Sequence, residues 1–143
     1  MSKRKLFSTL LISALFVLLL AACGSTATNS PVEVKVTISE YAIESSITNF
    51  KVGVPYHFVV TNKGAIPHEI MLMNSLDATG GMGMDEMDAM ALAHLEENDL
   101  PSGGTATFDY TFIQPAATGE LEFACHLPGH YEVGMKLSIT VTQ

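Results

Sequence analysis

Leu121-Glu122-Phe123-Ala124-Cys125-His126-Leu127-Pro128-Gly129-His130-Tyr131-Glu132-Val133-Gly134-Met135 decides how this chain is read. Leu121, Phe123 and Cys125 alternate with Glu122 and Ala124, the two-residue period of a strand with one buried face. Lys136-Leu137-Ser138-Ile139-Thr140-Val141 alternates again. Pro128-Gly129 supplies a turn between the two runs. Cys125, His130 and Met135 therefore sit on one loop between strands, each five residues after the last. A thiolate and an imidazole hold copper in both oxidation states, and a thioether completes such a site as a long, weak axial bond. A mononuclear electron-transfer copper site needs a second imidazole. His68, in Asn62-Lys63-Gly64-Ala65-Ile66-Pro67-His68-Glu69, is the candidate.

The same alternation reaches upstream. Val32, Val34, Val36 and Ile38 alternate with polar residues, as do Tyr56, Phe58 and Val60, and then Ala106, Phe108, Tyr110 and Phe112. Ile70-Met71-Leu72-Met73 follows His68-Glu69. Breaks fall at Gly53, Asn62 to Gly64, Pro101 to Gly104, and Pro115 to Gly119. Short alternating strands with regular turns predict an all-β, antiparallel sandwich or barrel. One segment departs from the pattern. Met84 to Glu97 holds good helix formers without Gly or Pro, with Asp85, Glu86 and Asp88 near its start. It predicts one helix inserted between strands.

The N-terminus is organised differently. Lys3, Arg4 and Lys5 precede an apolar run from Leu6 to Leu20, the pattern of an export signal. Leu20-Ala21-Ala22-Cys23 resembles the bacterial lipoprotein processing box, in which the Cys is lipidated and becomes the first mature residue. The expected organisation is a signal peptide over 1–22, a lipidated Cys23 with a flexible tether over 23–31, and one domain over 32–143. The expected location is extracytoplasmic, with the domain tethered to a cell or outer membrane through Cys23. The chain has two cysteines. With Cys23 lipidated, Cys125 has no disulfide partner within the chain, and a metal-bound thiolate explains an unpaired Cys outside the cytoplasm.

From Cys23 onward four lysines face fifteen carboxylates, a formal charge of −11. This disfavours nucleic acid, which needs a basic face. It suits a redox partner with a basic docking face.

The Cys-x4-His-x4-Met run with an upstream Asn-x-Gly-x-x-x-His resembles the cupredoxins, small blue-copper proteins of the plastocyanin and azurin kind. The resemblance covers Val32 to Gln143. It implies a Greek-key β-sandwich or barrel and one type 1 copper per domain. His68, Cys125 and His130 would be the trigonal ligands and Met135 the axial one. It further implies a one-electron carrier rather than an enzyme. Three features differ from plastocyanin: four residues rather than two separate Cys125 from His130, Glu69 stands where an Asn pins the ligand loops, and the expected helix after Leu76 is longer and richer in Met. The Cys-His-x3-His-x4-Met run also resembles the last copper motif of multicopper oxidases. Those carry His on both sides of the Cys, whereas Ala124 stands here and the other paired-His motifs are missing.

Two histidines and the methionines complete the reading. His57 alternates with Tyr56 and Phe58 and is expected to face solvent. Ala124 and His126 face away from Cys125, so His126 is not expected to share its metal and is expected to be solvated at the rim. On a helix, Met87 and Met90 would share a face with His94. Packing against the sheet is the ordinary role for Met84, Met87 and Met90. The alternative is a second, weak copper site of Met82, Met84, Met87, Met90 and His94, since thioethers favour Cu(I). That alternative would go with a periplasmic protein of copper tolerance or delivery.

Overall fold

Residues 30–76, 78–79 and 83–143 are described by a computed structural model. The expected signal peptide over 1–22, Cys23, nearly all of the expected tether, and Met82 lie outside these residues. Among the described residues, nine strands form two sheets that close over one core. The first sheet holds β1 (Val32–Ser39), β2 (Ala42–Ser45), β4 (Pro55–Asn62) and β7 (Thr105–Thr111), in the order β2-β1-β4-β7. The second holds β3 (Asn49–Lys51), β5 (Ile70–Asn74), β6 (Ala93–Leu95), β8 (Ala116–Ala124) and β9 (Lys136–Thr142), in the order β3-β9-β8-β5-β6. The parallel pairs are β1 with β4 and β3 with β9. The remaining pairs are antiparallel. This is a β-sandwich, as the alternating runs predict, but both sheets are mixed rather than purely antiparallel, because β1 and β3 each join their sheet beside a strand that runs the same way.

The core follows from the alternation. Val34, Val36 and Ile38 of β1 and Tyr56, Phe58 and Val60 of β4 point inward, as do Leu121 and Phe123 of β8. Phe50 lies at the centre, 5.0 Å from Phe112 and 5.7 Å from Phe58 between ring centroids. Burying each such aromatic ring contributes about 2–3 kcal/mol. Strand β5 is buried on both faces. Ile70 and Leu72 enter the main core, while Met71 and Met73 join Met87, Ala124 and Tyr131 in a second cluster on the outer side of the sheet.

Two expectations are corrected. The predicted helix from Met84 to Glu97 is much shorter: α1 spans Met84–Asp88, and the chain then turns into β6. Pairing explains this. Strand β6 lies antiparallel to Ile70–Leu72, satisfying an otherwise open strand edge, and Leu95 reaches the core. A single turn of helix with buried Met87 is what remains, because tertiary pairing outweighs a few tenths of a kcal/mol per residue of helix propensity. The predicted break at Pro115 to Gly119 is also mostly strand. Strand β8 begins at Ala116 and absorbs Gly119, at φ +87°, within an irregular register against β9.

Candidate metal centre

Two loops meet at one end of the sandwich. The first joins β4 to β5 and carries His68; the second joins β8 to β9 and carries Cys125, His130 and Met135. Phase along the strands sets the inward direction. His68 is in step with the core residues Ile70 and Leu72, and Cys125 with Leu121 and Phe123. Ligand atoms of His68, Cys125 and His130 lie within 4.8 Å of one another. Cys125 Sγ is 3.4 Å from His130 Nδ1, and the two imidazole centroids are 5.2 Å apart.

All three side chains are buried. Neither ring nitrogen of His68 has a hydrogen-bond partner. An unpartnered buried polar atom costs about 1–3 kcal/mol, so a convergent set of this kind needs a shared ion. Burial holds the His68 imidazole below its ordinary pKa, and the neighbouring charge of His130 pushes the same way while Glu40 opposes. A neutral imidazole is the form a metal requires. Burial pushes the Cys125 thiol up. Backbone N–H groups of Glu69 and Leu127 bond the sulfur and favour the thiolate, while the Glu69 charge disfavours it. A coordinating metal deprotonates such a thiol outright. A soft thiolate with two imidazoles in a dry pocket fits copper.

Comparison with known proteins agrees. The model of the family "Copper binding proteins, plastocyanin/azurin family" matches residues 32–142. The chain belongs to this family. A curated relative is the copper-resistant cuproprotein CopI of Pseudomonas aeruginosa strain PAO1, 26% identical over an alignment of 138 residues covering 76% of this chain and 75% of the relative. Among solved structures, reduced auracyanin from Roseiflexus castenholzii matches with a TM-score of 0.59 at 22% identity, over 80% of this chain and 98% of that one. Auracyanin A, a "blue" copper protein from Chloroflexus aurantiacus, matches with a TM-score of 0.58 at 20% identity, over 79% and 100%. These likenesses place the fold. This plastocyanin/azurin-family chain binds copper, and His68, Cys125 and His130 form a site for one ion.

Met135 is fully buried in the same core cluster as Cys125. Its carbonyl accepts from Cys125 N at 3.1 Å, and its own N–H donates to the His130 carbonyl at 3.0 Å. These bonds close the ligand loop. Glu69 takes a bridging role. Its Oε1 accepts from the backbone N–H of His126 at 2.9 Å, tying the first loop to the second. Its Oε2 lies 3.5 Å from His94 Nε2.

His126 stands outside the cluster of three donors, in keeping with strand alternation. Its expected solvation is corrected: the side chain is 2% exposed, and Nδ1 sits 2.5 Å from Asp88 Oδ1. Helix α1 lies over that face and excludes water. His57, at the sandwich surface, pairs with Asp109. The five residues of the suggested second site are dispersed differently from a helix face. Met87 is buried, Met90 is exposed and His94 sits on β6 beside Glu69. Met82 and the side chain of Met84 lie outside the described residues.

Three supporting residues escaped the sequence reading. Asn62 is fully buried; Nδ2 donates to the Ile66 and Leu100 carbonyls at 2.8 and 2.9 Å, and Oδ1 accepts from Gly64 N at 2.8 Å. Its signal was present, since it continues the inward phase of Tyr56, Phe58 and Val60. Glu40 and Tyr41 form the β1–β2 turn above the site. The Glu40 carboxylate accepts from Ala65 N–H, which holds its pKa below the ordinary value. Tyr41, at φ +63°, sets its ring edge-on to His130 at 5.5 Å. No local pattern announces these two contacts.

Proposed function

We propose that this protein is a one-electron carrier whose copper would be held by His68, Cys125 and His130, with Met135 as a weaker fourth donor. Copper would supply a one-electron couple between Cu(I) and Cu(II). The observation that carries this reading is the fully buried His68, with both ring nitrogens unpartnered, facing Cys125 and His130. Rigid loops suit a carrier, because donors fixed by the fold need little rearrangement between oxidation states. Asn62, Glu69 and the closed Cys125–Met135 loop provide that rigidity. His130 lies under the exposed Tyr41 ring and is the shortest way out for an electron. The acidic surface favours a partner with a basic docking face. A lipid on Cys23 would hold the domain at the outer face of a bacterial membrane.

Purified protein should bind one tight Cu(II) with an intense thiolate-to-copper band. Cys125→Ser should remove that band, and its persistence would reject the site. Met135→Leu should keep copper and raise the reduction potential by voltammetry, since loss of a donor destabilises Cu(II) more than Cu(I). Loss of all copper, or an unmoved potential, would remove Met135 from the axial position.

The second reading is copper tolerance or delivery. It is favoured by the similarity to the copper-resistant cuproprotein. Copper that exchanges readily with a Cu(I) chelator, rather than staying bound through redox cycles, would support it.

A further inference from the structure

The outer face of the second sheet carries a feature that electron transfer at Cys125 does not use. Met71 and Met73 project from β5 on that face, each 1% exposed, and Met87 of α1 covers them, also at 1%. Ala124 lies opposite Met71 across the β5–β8 pair and belongs to the same cluster. Two residues beyond Ala124 the chain brings His126 to the same side. Its ring packs edge-on against Tyr131, a member of the methionine cluster, with centroids 5.1 Å apart. Its Nδ1 is held by Asp88, the residue next to Met87.

The protonation pattern follows from that pairing. Facing a carboxylate at 2.5 Å, Nδ1 is the donor, and Nε2 is the nitrogen left to offer a ligand. That Nε2 is buried and has no hydrogen-bond partner; only the two His68 nitrogens share this condition among the described side chains. A carboxylate–imidazole pair with the second nitrogen left open is the arrangement by which proteins orient a metal-binding histidine. Packing accounts for three buried methionines. It does not account for a buried imidazole nitrogen with nothing to bond.

We propose that Met71, Met73, Met87 and His126 form a second metal site, separate from Cys125, that takes Cu(I). Thioethers and a neutral imidazole are soft, uncharged donors, which select monovalent copper over harder divalent ions. The Asp88 carboxylate, bonded to the same imidazole, adds negative charge that favours a cation there. Asp88 is also partly exposed, so the ion has an approach from solvent beside α1. Met87 Sδ accepts a weak bond from Thr79 Oγ1 at 3.6 Å, and a thioether keeps a second lone pair. This site goes beyond the carrier reading and does not depend on it.

The test is a Cu(I) titration of protein made from the full chain, under reducing conditions, against a chromophoric Cu(I) chelator. Wild type should take two equivalents. The Met71→Leu/Met73→Leu/Met87→Leu variant should take one and keep the thiolate-to-copper band when oxidised. Leucine conserves volume, and the single Met87→Leu variant provides a milder change with the fold checked by circular dichroism. It should weaken the second equivalent at least tenfold. Long-range nitrogen–proton spectra should show His126 Nε2 shifting as the second equivalent binds. A wild-type stoichiometry of one, a second equivalent retained by the triple variant, or an unmoved Nε2 resonance would each overturn the proposal. Absence of the Cu(II) band would instead count against the Cys125 site, so the two failures read separately.

Discussion

The two loops that carry the copper donors are held in opposite ways. The β4–β5 loop, which presents His68, is fixed from elsewhere: side chains add to the backbone bonds of His68 N to Leu100 O and Lys63 N to Ile38 O. Asn62 ties it to the Leu100 carbonyl, Ser102 donates to the Gly64 carbonyl, and Glu40 takes the Ala65 amide. The β8–β9 loop, which presents Cys125 and His130, is fixed by its own backbone. His130 N donates to Leu127 O, Gly134 N to Tyr131 O, and Cys125 N to Met135 O. A side-chain brace is lost by one truncation. A backbone brace survives truncation but depends on dihedral angles. Glu69 links the two loops: its carboxylate accepts from His126 N, and its own N–H bonds the Cys125 sulfur.

This contrast is open to direct tests. The largest stability effect should come from Asn62→Ala, which leaves the Ile66 carbonyl and the Gly64 amide of the first loop without their partner and cuts the tie to the Leu100 carbonyl, which keeps only His68 N. The expected loss is about 3 kcal/mol in denaturant melts of copper-free protein, with weaker copper binding besides. A loss below about 1 kcal/mol would mean that the loop does not rely on this brace.

Gly134→Ala should come next. At φ +96° an L side chain is strained, although a methyl group would meet no neighbour within 4 Å. The expected cost is about 1–2 kcal/mol, with the copper band shifted because the loop angle changes. An unchanged melt and spectrum would show that the second loop tolerates another path.

Val133→Ala should have the smallest effect. Val133 is 61% exposed on the backbone-braced loop. Its truncation should change stability by no more than about 0.5 kcal/mol. A larger loss in a denaturant melt would reveal a side-chain contribution to that loop and erase the contrast.

Much of this arrangement was legible beforehand, and particular residues show why. His68, Cys125 and His130 could be read because donor identity and spacing are local properties of a loop between alternating strands. Asn62 carried a readable signal in its strand phase, yet turn chemistry suggested a looser role. Leu95 shows the reverse failure. Helix propensity spoke for its segment, while the open edge of β5 claimed it as a strand. His126 was rightly turned from Cys125 by alternation and wrongly given to solvent, because α1 covers it from a distance of 38 residues in sequence.

The sequence by itself determined the sandwich, the inward face of each long strand and the set of copper donors. These depend on a two-residue period and on side-chain chemistry, both written along the chain. Only the tertiary structure decided what covers the outer face of the second sheet, which carboxylate meets which imidazole, and which turn lies over His130. Those outcomes rest on pairs distant in sequence, such as Asp88 with His126 and Tyr41 with His130. Their geometry exists only once two sheets and a single helical turn have packed, because burial and strand pairing, rather than local preference, choose the partners.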